Sequence, residues 1–211
     1  METYQTEEQQ VEAIKKFWQE NGNYIISGLV LGFAGFIGFN YYKDNKLAQE
    51  EAVAAEYQTV IESQAGDHEG FKVKADEFIK ANGDSSYASL TALSLAKDAA
   101  EHQDWEKVSA HLSTAIDTAP SQEIKAIATI RLARVQIEMA AFDKALATLA
   151  GELPAAFKAS VEEVKGDAYL KQGKQELARN AYQAAVDAGG LETNPTLQMK
   201  LDDLAQATPA I

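Results

Sequence analysis

The longest uninterrupted apolar run lies close to the N-terminus, where residues 24–42 read YIISGLVLGFAGFIGFNYY without a charged side chain. As a helix this run rises about 28 Å at about 1.5 Å per residue, close to the roughly 30 Å thickness of one hydrocarbon core. Tyr24 stands at one edge and Tyr41 and Tyr42 at the other, where aromatic belts form at membrane interfaces. The pattern predicts a transmembrane helix over 24–42.

Two other kinds of segment compete with this interpretation. A cleavable signal peptide has an apolar region of about 7–15 residues behind a short basic leader, whereas the leader here, residues 1–23, carries five glutamates and two lysines. A buried core helix usually keeps one polar face, which this run lacks. The sequence therefore favours an uncleaved anchor.

The leader has a pattern of its own. Thr6 and Gln9 have the spacing of a helix capping box, and the turn-forming run Asn21-Gly22-Asn23 predicts the end of a short helix. Between them, four apolar residues fall on one helical face: Val11, Ile14, Phe17 and Trp18. A short amphipathic helix at the membrane interface and a solvated tail both fit this pattern.

Small residues follow one face of the predicted membrane helix. Gly28, Gly32 and Gly35 stand at positions i, i+4 and i+7, a spacing that lets a second membrane helix approach closely. Glycine is also simply common in membrane helices, so the stripe is a helix-packing candidate with a plain alternative.

The flanking charges leave the direction of insertion open. Lys15 and Lys16 precede the apolar run, and Lys43 and Lys46 follow it. Basic residues concentrate on the cytoplasmic side, but here the two sides carry equal numbers.

Residues 43–211 contain three segments that align with each other, at 92–120, 129–154 and 161–190. Each has a small residue in its first half, a turn in the middle and a large apolar residue in its second half. These residues are Ala96, Ala133 and Gly166; then Gln103-Asp104, Ala141 and Gly173; then Leu112, Leu149 and Tyr182. The small residues are 37 and then 33 positions apart. This is a helix–turn–helix unit whose period is close to the roughly 34 residues of tetratricopeptide repeats.

These segments resemble tetratricopeptide repeats, with units at about 89–122, 126–158 and 159–190. Residues 46–64 and 69–82 look like a degenerate fourth pair, and Asn194-Pro195 should open a capping helix over about 195–206. The predicted fold class is all-α: an N-terminal transmembrane helix followed by a tetratricopeptide-like helical-repeat domain, an α-solenoid, at 43–211. Each helix pair must stack on its neighbours to bury its apolar face.

A stacked array of this kind offers a groove lined by the first helix of each pair. The groove candidates are Leu93, Lys97, Ile130, Arg134, Ile137, Glu163, Asp167 and Leu170. This mixture of apolar and charged side chains would suit an extended peptide or a partner's helix. Taken singly, each of these residues could equally be ordinary surface or inter-repeat core.

Composition narrows the function. A net charge of -13 argues against nucleic acid, which needs a basic footprint. The chain has no cysteine and shows none of the common phosphate-loop, dinucleotide, nucleophile-elbow or metal motifs. Its three histidines, His68, His102 and His111, are scattered. The prediction is a non-enzymatic protein without cofactor or metal.

Three stretches also resemble one family over nearly the whole chain. They are EQQVEAIKKFWQENG at 8–22, IRLARVQIE at 130–138 and QMKLDDLA at 198–205. They look like the YfgM family, the ancillary subunits of the SecYEG translocon. The leader followed at once by a glycine-rich membrane helix is the most specific part of this resemblance.

The resemblance implies a single-pass protein of the bacterial inner membrane, with a cytoplasmic tail at 1–23 and a periplasmic repeat domain. It implies association with SecYEG and with the periplasmic chaperone PpiD, transfer of secreted proteins to periplasmic chaperones, and negative regulation of RcsB-type stress signalling. A membrane-tethered repeat scaffold in another envelope-assembly or cell-division complex is the alternative.

Overall fold

The computed structural model describes the backbone of residues 7–206. Every regular element in this range is a helix, which confirms the all-α prediction. The α-helices are α1 (Glu7–Ser63), α2 (His68–Ala81), α3 (Ser86–Glu101), α4 (Trp105–Asp117), α5 (Gln122–Glu138), α6 (Phe142–Thr148), α7 (Lys158–Lys171), α8 (Gln175–Asp187), α9 (Gly190–Thr193) and α10 (Thr196–Gln206), with a short 3-10 turn at Ala155–Phe157. The chain divides into two compact units, and the boundary falls within α1, after Ala52.

In the first unit, the described residues, 7–52, form a single uninterrupted helix. The turn predicted at Asn21-Gly22-Asn23 is wrong, because α1 continues through it. The Asn21 side chain donates a hydrogen bond to the Phe17 carbonyl at 3.1 Å, and Gly22 lies against the Trp18 indole. Asn and Gly are weak helix formers, but two asparagines and one glycine together cost only about 2 kcal/mol in a helix, which is not enough to end a helix of this length.

Helix α1 is also the membrane candidate. It contains a window of mean hydropathy 1.5, of which only 6% is buried against the rest of the chain. A core helix of a water-soluble protein would be mostly covered by its neighbours. Large apolar side chains such as Leu31, Phe33 and Ile37 are more than 60% exposed, so this helix has the length and surface of a membrane span.

The second unit is built from three successive helix pairs: α3 with α4, α5 with α6, and α7 with α8. Ala96 and Ala133 are buried in the middle of α3 and α5, and Gly166 is buried in the middle of α7. The large apolar residues of the second helices, Leu112 and Leu149, pack in the same clusters as these small residues. The aligned sequence segments, with a small residue in the first half and a large apolar residue in the second half, therefore predicted which helices pack together.

Size matching is clearest in the third pair. The ring of Tyr182 occupies the space that a Cβ atom at position 166 would need. Where the first two pairs have Leu112 and Leu149, alanine stands at the corresponding positions of α3 and α5. The larger tyrosine is therefore accommodated by the absence of a side chain at Gly166.

The three turns inside the pairs have one geometry. Gln103, Ala140 and Gly173 each adopt a left-handed backbone, with φ of 57°, 56° and 75°. In each turn the next residue donates its N–H to the carbonyl five residues earlier: to Ala99 at 3.0 Å, Gln136 at 2.8 Å and Tyr169 at 2.9 Å. This is the Schellman C-cap, which usually places glycine at the left-handed residue.

Both ends of the repeat unit are covered. At one end, Val60 of α1 shares an apolar cluster with Phe71, Ala75 and Phe78 of α2. At the other end, α10 begins at Thr196, and its leucines at 197, 201 and 204 pack against Tyr182 and its neighbours on α8. Terminal helices that shield the last apolar face are typical of repeat proteins.

Candidate partner-binding surfaces

A pocket of about 250 Å³ opens between α3, α4 and α5. Its lining residues are Leu93, Ala96, Lys97, Ala100, Val108, Leu112, Arg131, Arg134 and Val135. The apolar residues of α3 and α4 belong to or pack against the core of the first helix pair, so the floor is held by that core. Drug-sized ligand sites usually measure about 300–1,000 Å³, so this pocket suits a side chain better than a cofactor.

Three cationic residues border the pocket, which they line mainly with the apolar part of their side chains. Lys97 lies on α3, and Arg131 and Arg134 lie one turn apart on α5. The Lys97 ammonium is 3.8 Å from the Glu101 carboxylate, and both side chains are more than half exposed. An exposed ion pair of this length contributes only roughly 0–1 kcal/mol to stability. The interaction of Lys97 with Glu101 is therefore weak.

The corresponding surface of the third pair is acidic and is already engaged. The Lys200 ammonium of α10 donates to Glu163 at 2.8 Å and to Asp167 at 2.7 Å. Asn194 also donates to Glu163, at 2.8 Å, and the Tyr182 hydroxyl donates to Asp167 at 2.7 Å. Glu163 and Asp167 are therefore satisfied by groups from α8, from α10 and from Asn194 between α9 and α10.

The pKa values of this cluster follow from its contacts. Burial would raise the pKa of Glu163, but hydrogen bonds from Lys200 and Asn194 outweigh it, and the pKa is lowered. Burial would lower the pKa of Lys200, but hydrogen bonds to Asp167 and Glu163 raise it. Burial and the bond to Asp167 raise the pKa of Tyr182 well above its usual range. At neutral pH Glu163 and Lys200 are therefore charged and Tyr182 is neutral.

The eight groove candidates separate into four groups. Leu93, Lys97 and Arg134 line the pocket. Ile130 and Ile137 are buried, at 5% and 7% exposure, in the core around the second pair, because their side chains fill the space between α5 and its neighbours. Glu163 and Asp167 hold Lys200, and Leu170 is exposed. Their role in binding a partner stays a prediction.

Two charged residues that the sequence did not single out belong to these surfaces. Arg131 lines the pocket beside Arg134, and its position three residues earlier on the same helix was a usable signal. Lys200 reaches α7 from a helix more than thirty positions away, and no local pattern in the sequence indicates that contact.

The glycine stripe of α1 is open. Apart from the chain neighbours and the nearby backbone of the helix itself, no described atom lies within 4 Å of the place that a Cβ would take at Gly28, Gly32 or Gly35. A second helix could approach this face closely, and its use for helix packing stays a prediction.

The histidines have structural contacts. The His68 Nδ1 atom lies 3.1 Å from a carboxylate oxygen of Asp98, whose side chain is buried. His102 Nδ1 lies 2.8 Å from the Asp98 carbonyl. Among the side chains that the structure describes, those of residues 9–204, no group of three or more His, Asp or Glu could hold a metal ion.

Stacked helix pairs joined to a helix of membrane-spanning length define a membrane-anchored helical-repeat protein. The family model described as "Tetratricopeptide repeat-like domain" matches residues 15–206. Curated relatives named "Ancillary SecYEG translocon subunit" match nearly the whole chain. The Haemophilus influenzae protein is 31% identical, covering 94% of this chain and 97% of its own length. The Escherichia coli protein is 30% identical, covering 97% and 100%, and the Neisseria gonorrhoeae protein is 27% identical, covering 97% and 100%.

The chain therefore belongs to the family of ancillary SecYEG translocon subunits, which confirms the resemblance read from its tail, anchor and repeats. No solved structure matches it.

Proposed function

We propose that the protein is a non-catalytic adaptor at the SecYEG translocon that passes emerging secreted proteins to periplasmic chaperones. One observation carries this proposal: the likeness to proteins named as translocon subunits spans 97% of the chain and 100% of the Escherichia coli relative. It therefore includes the membrane helix as well as the repeats, whereas helical repeats alone occur in many unrelated proteins.

The exposed surfaces of the two units support an adaptor role. The apolar surface of α1 is uncovered by the chain itself, as expected of a helix that meets lipid or other membrane helices. The repeat unit presents a pocket with charged edges, as expected of a protein that binds partner segments.

Site-specific photocrosslinking in native membranes tests the association. A photoreactive residue at Gly32 should crosslink to a SecYEG subunit, because that face of α1 is open to another helix. Val30, on the opposite side of α1 and 61% exposed, is the matched control and should crosslink much less. Efficient crosslinks from position 32 to a different envelope-assembly or cell-division complex, and none to SecYEG, would support the scaffold alternative instead.

We also propose a cytoplasmic N-terminus and a periplasmic repeat domain. External protease added to intact spheroplasts should then digest residues beyond the membrane helix and leave the N-terminal tail protected. A repeat domain that is cleaved only after the membrane is lysed contradicts this topology.

The proposed partners on the two sides are the chaperone PpiD in the periplasm and RcsB in the cytoplasm. A photoreactive residue at Arg134, on the exposed side of the pocket, should crosslink to PpiD or to a secreted chain. Overproducing a variant that lacks the repeat domain should still lower an RcsB-dependent reporter if the tail at 1–23 carries the regulation; an unchanged reporter contradicts that role.

A further inference from the structure

The pocket between α3, α4 and α5 has a charge opposite to that of the protein. The whole chain carries -13, yet the charged residues lining this pocket are Lys97, Arg131 and Arg134. The chain has three arginines, and two of them are here. In an acidic protein a local cationic rim attracts anionic groups that the rest of the surface repels.

The pocket floor adds a second requirement. It consists of aliphatic side chains and alanines, among them Leu93, Ala100 and Val108. Burying an apolar group there removes its surface from water, which stabilises a complex by about 25 cal/mol per Å². A ligand that fits must therefore combine an apolar group for the floor with several anionic groups for the rim.

The corresponding surface of the third helix pair is acidic, not cationic. Two of its acidic residues on α7, Glu163 and Asp167, both pair with Lys200 from α10. A cationic side chain of a partner would have to displace Lys200 from two short hydrogen bonds. An anionic partner at α3 and α5 competes with weaker interactions: the exposed 3.8 Å pair of Lys97 with Glu101 and the attraction between Arg134 and Glu163. The cations of α3 and α5 are therefore more accessible to a partner than the carboxylates of α7, which favours an acidic partner.

We propose that this pocket binds an extended acidic segment of another protein. One large aliphatic or aromatic side chain of the segment enters the pocket, and carboxylates before and after it pair with Lys97, Arg131 and Arg134. The three cations stand on two helices on either side of the pocket, so a segment with spaced carboxylates engages more of them than a single carboxylate does. This assignment rests on the proposed binding role of the repeat unit and gives the chemistry of its ligand.

Fluorescence anisotropy with the full chain in detergent micelles tests the proposal. The probe is a labelled synthetic peptide with one central leucine flanked on both sides by glutamates. Replacing the leucine with serine, or all glutamates with glutamines, should each weaken binding by about tenfold or more, because each change removes one of the two interactions. Binding should also weaken as salt rises toward about 1 M, where the screening length is only about 3 Å.

Charge-reversed variants locate the site. Arg131→Glu and Arg134→Glu should each weaken the glutamate peptide by about tenfold, because attraction becomes repulsion. Arg179→Glu is the matched control, since Arg179 is the third arginine and lies exposed on α8 away from the pocket. All three positions are exposed, and equal circular dichroism melting curves will show that the variants are folded. The double variant of Arg131 and Arg134 should gain binding to a peptide in which lysines replace the glutamates.

Three results would overturn the proposal: equal binding of the glutamine peptide, an equal loss in the Arg179 variant, or binding of a fatty acid such as decanoate without binding of the peptide. The peptide-binding assay contains no translocon, so the absence of peptide binding would not contradict crosslinks from Gly32 to SecYEG. Conversely, missing translocon crosslinks would leave peptide binding intact.

Discussion

The left-handed residue at Ala140 offers a sharp test of the repeat geometry. Its φ of 56° is a conformation in which a side chain costs about 1–2 kcal/mol and glycine costs almost nothing. Gly173 occupies the same place in the third turn. Replacing Ala140 with glycine should therefore stabilise the protein, although the same replacement usually destabilises a helix.

The expected gain follows from two opposing effects. Removing the Cβ relieves about 1–2 kcal/mol of left-handed strain. Glycine also makes the unfolded chain more flexible, which costs about 0.4–1 kcal/mol. The difference is a net stabilisation of about 0–1.6 kcal/mol. The hydrogen bond from the Ala141 N–H to Gln136 does not enter this difference, because it is a backbone contact that the substitution leaves in place.

The control is the same substitution at Ala110, an exposed residue within α4. There glycine relieves no strain and should destabilise by about 0.5–1 kcal/mol. Thermal unfolding of the full chain in detergent, followed by circular dichroism, should shift by about 2–4 °C per kcal/mol for a domain of this size. The two variants should therefore shift the midpoint in opposite directions.

Repeat proteins can unfold in segments, so amide hydrogen exchange should accompany the melting curves. In Ala140→Gly, slower exchange should be concentrated in α5 and α6. If Ala140→Gly lowers the midpoint as much as Ala110→Gly does, Ala140 is not in the left-handed conformation and the common turn geometry is refuted.

Three further predictions address the packing and the ionised groups. Gly166→Ala should destabilise the protein by about 1–3 kcal/mol, because the new methyl group overlaps the Tyr182 ring. Adding Tyr182→Leu in a double-mutant cycle should recover part of that lost stability. If the two substitutions have additive effects, the size match is contradicted. Lys200→Met should cost about 1–3 kcal/mol at pH 7 by leaving Glu163 without its cation. Because the pKa of Glu163 is lowered, the stability that its charged form contributes is present above about pH 4.5 and is lost below it. The stability lost in Lys200→Met, measured by urea unfolding, should therefore become smaller in acid. A stability loss that does not depend on pH would contradict the ion pair. Burial lowers the pKa of His111, so protonation of His111 should reduce the stability of the protein as the pH falls below about 6.5. In His111→Gln the melting midpoint should therefore change less between about pH 7 and 5. A pH dependence equal to that of the unchanged protein would exclude this contribution.

The sequence predicted the helix pairs well because their pattern repeats. Small residues such as Ala96 and large ones such as Leu112 recur at a fixed spacing, and packing requires both. The turn positions were also predictable to within one residue, but their left-handed conformation at Gln103 and Ala140 was not, since neither residue is glycine.

The other misses involve tertiary effects. Asn21-Gly22-Asn23 has the composition of a turn, yet the long helix continues through it, because local propensity is weak beside the hydrogen bonds on both sides. Ile130 and Ile137 follow groove spacing but fill the core, because a helix surrounded by neighbours has more than one buried face. The contact of Lys200 with Glu163 joins distant parts of the chain and leaves no periodic signal.

The match between Gly166 and Tyr182 also bears on how the array keeps its order during folding. Repeats with identical contact surfaces could stack out of sequence or exchange with another copy of the chain. Here the third pair alone carries a tyrosine opposite a glycine, whereas the first two pairs carry leucine opposite alanine. Combining α8 with the first helix of another pair would force the ring into a methyl group, and the reverse combination would leave a void. Helix α8 therefore distinguishes its own partner, α7, from the similar first helices beside it, which selects against shuffled and swapped assemblies of the third pair.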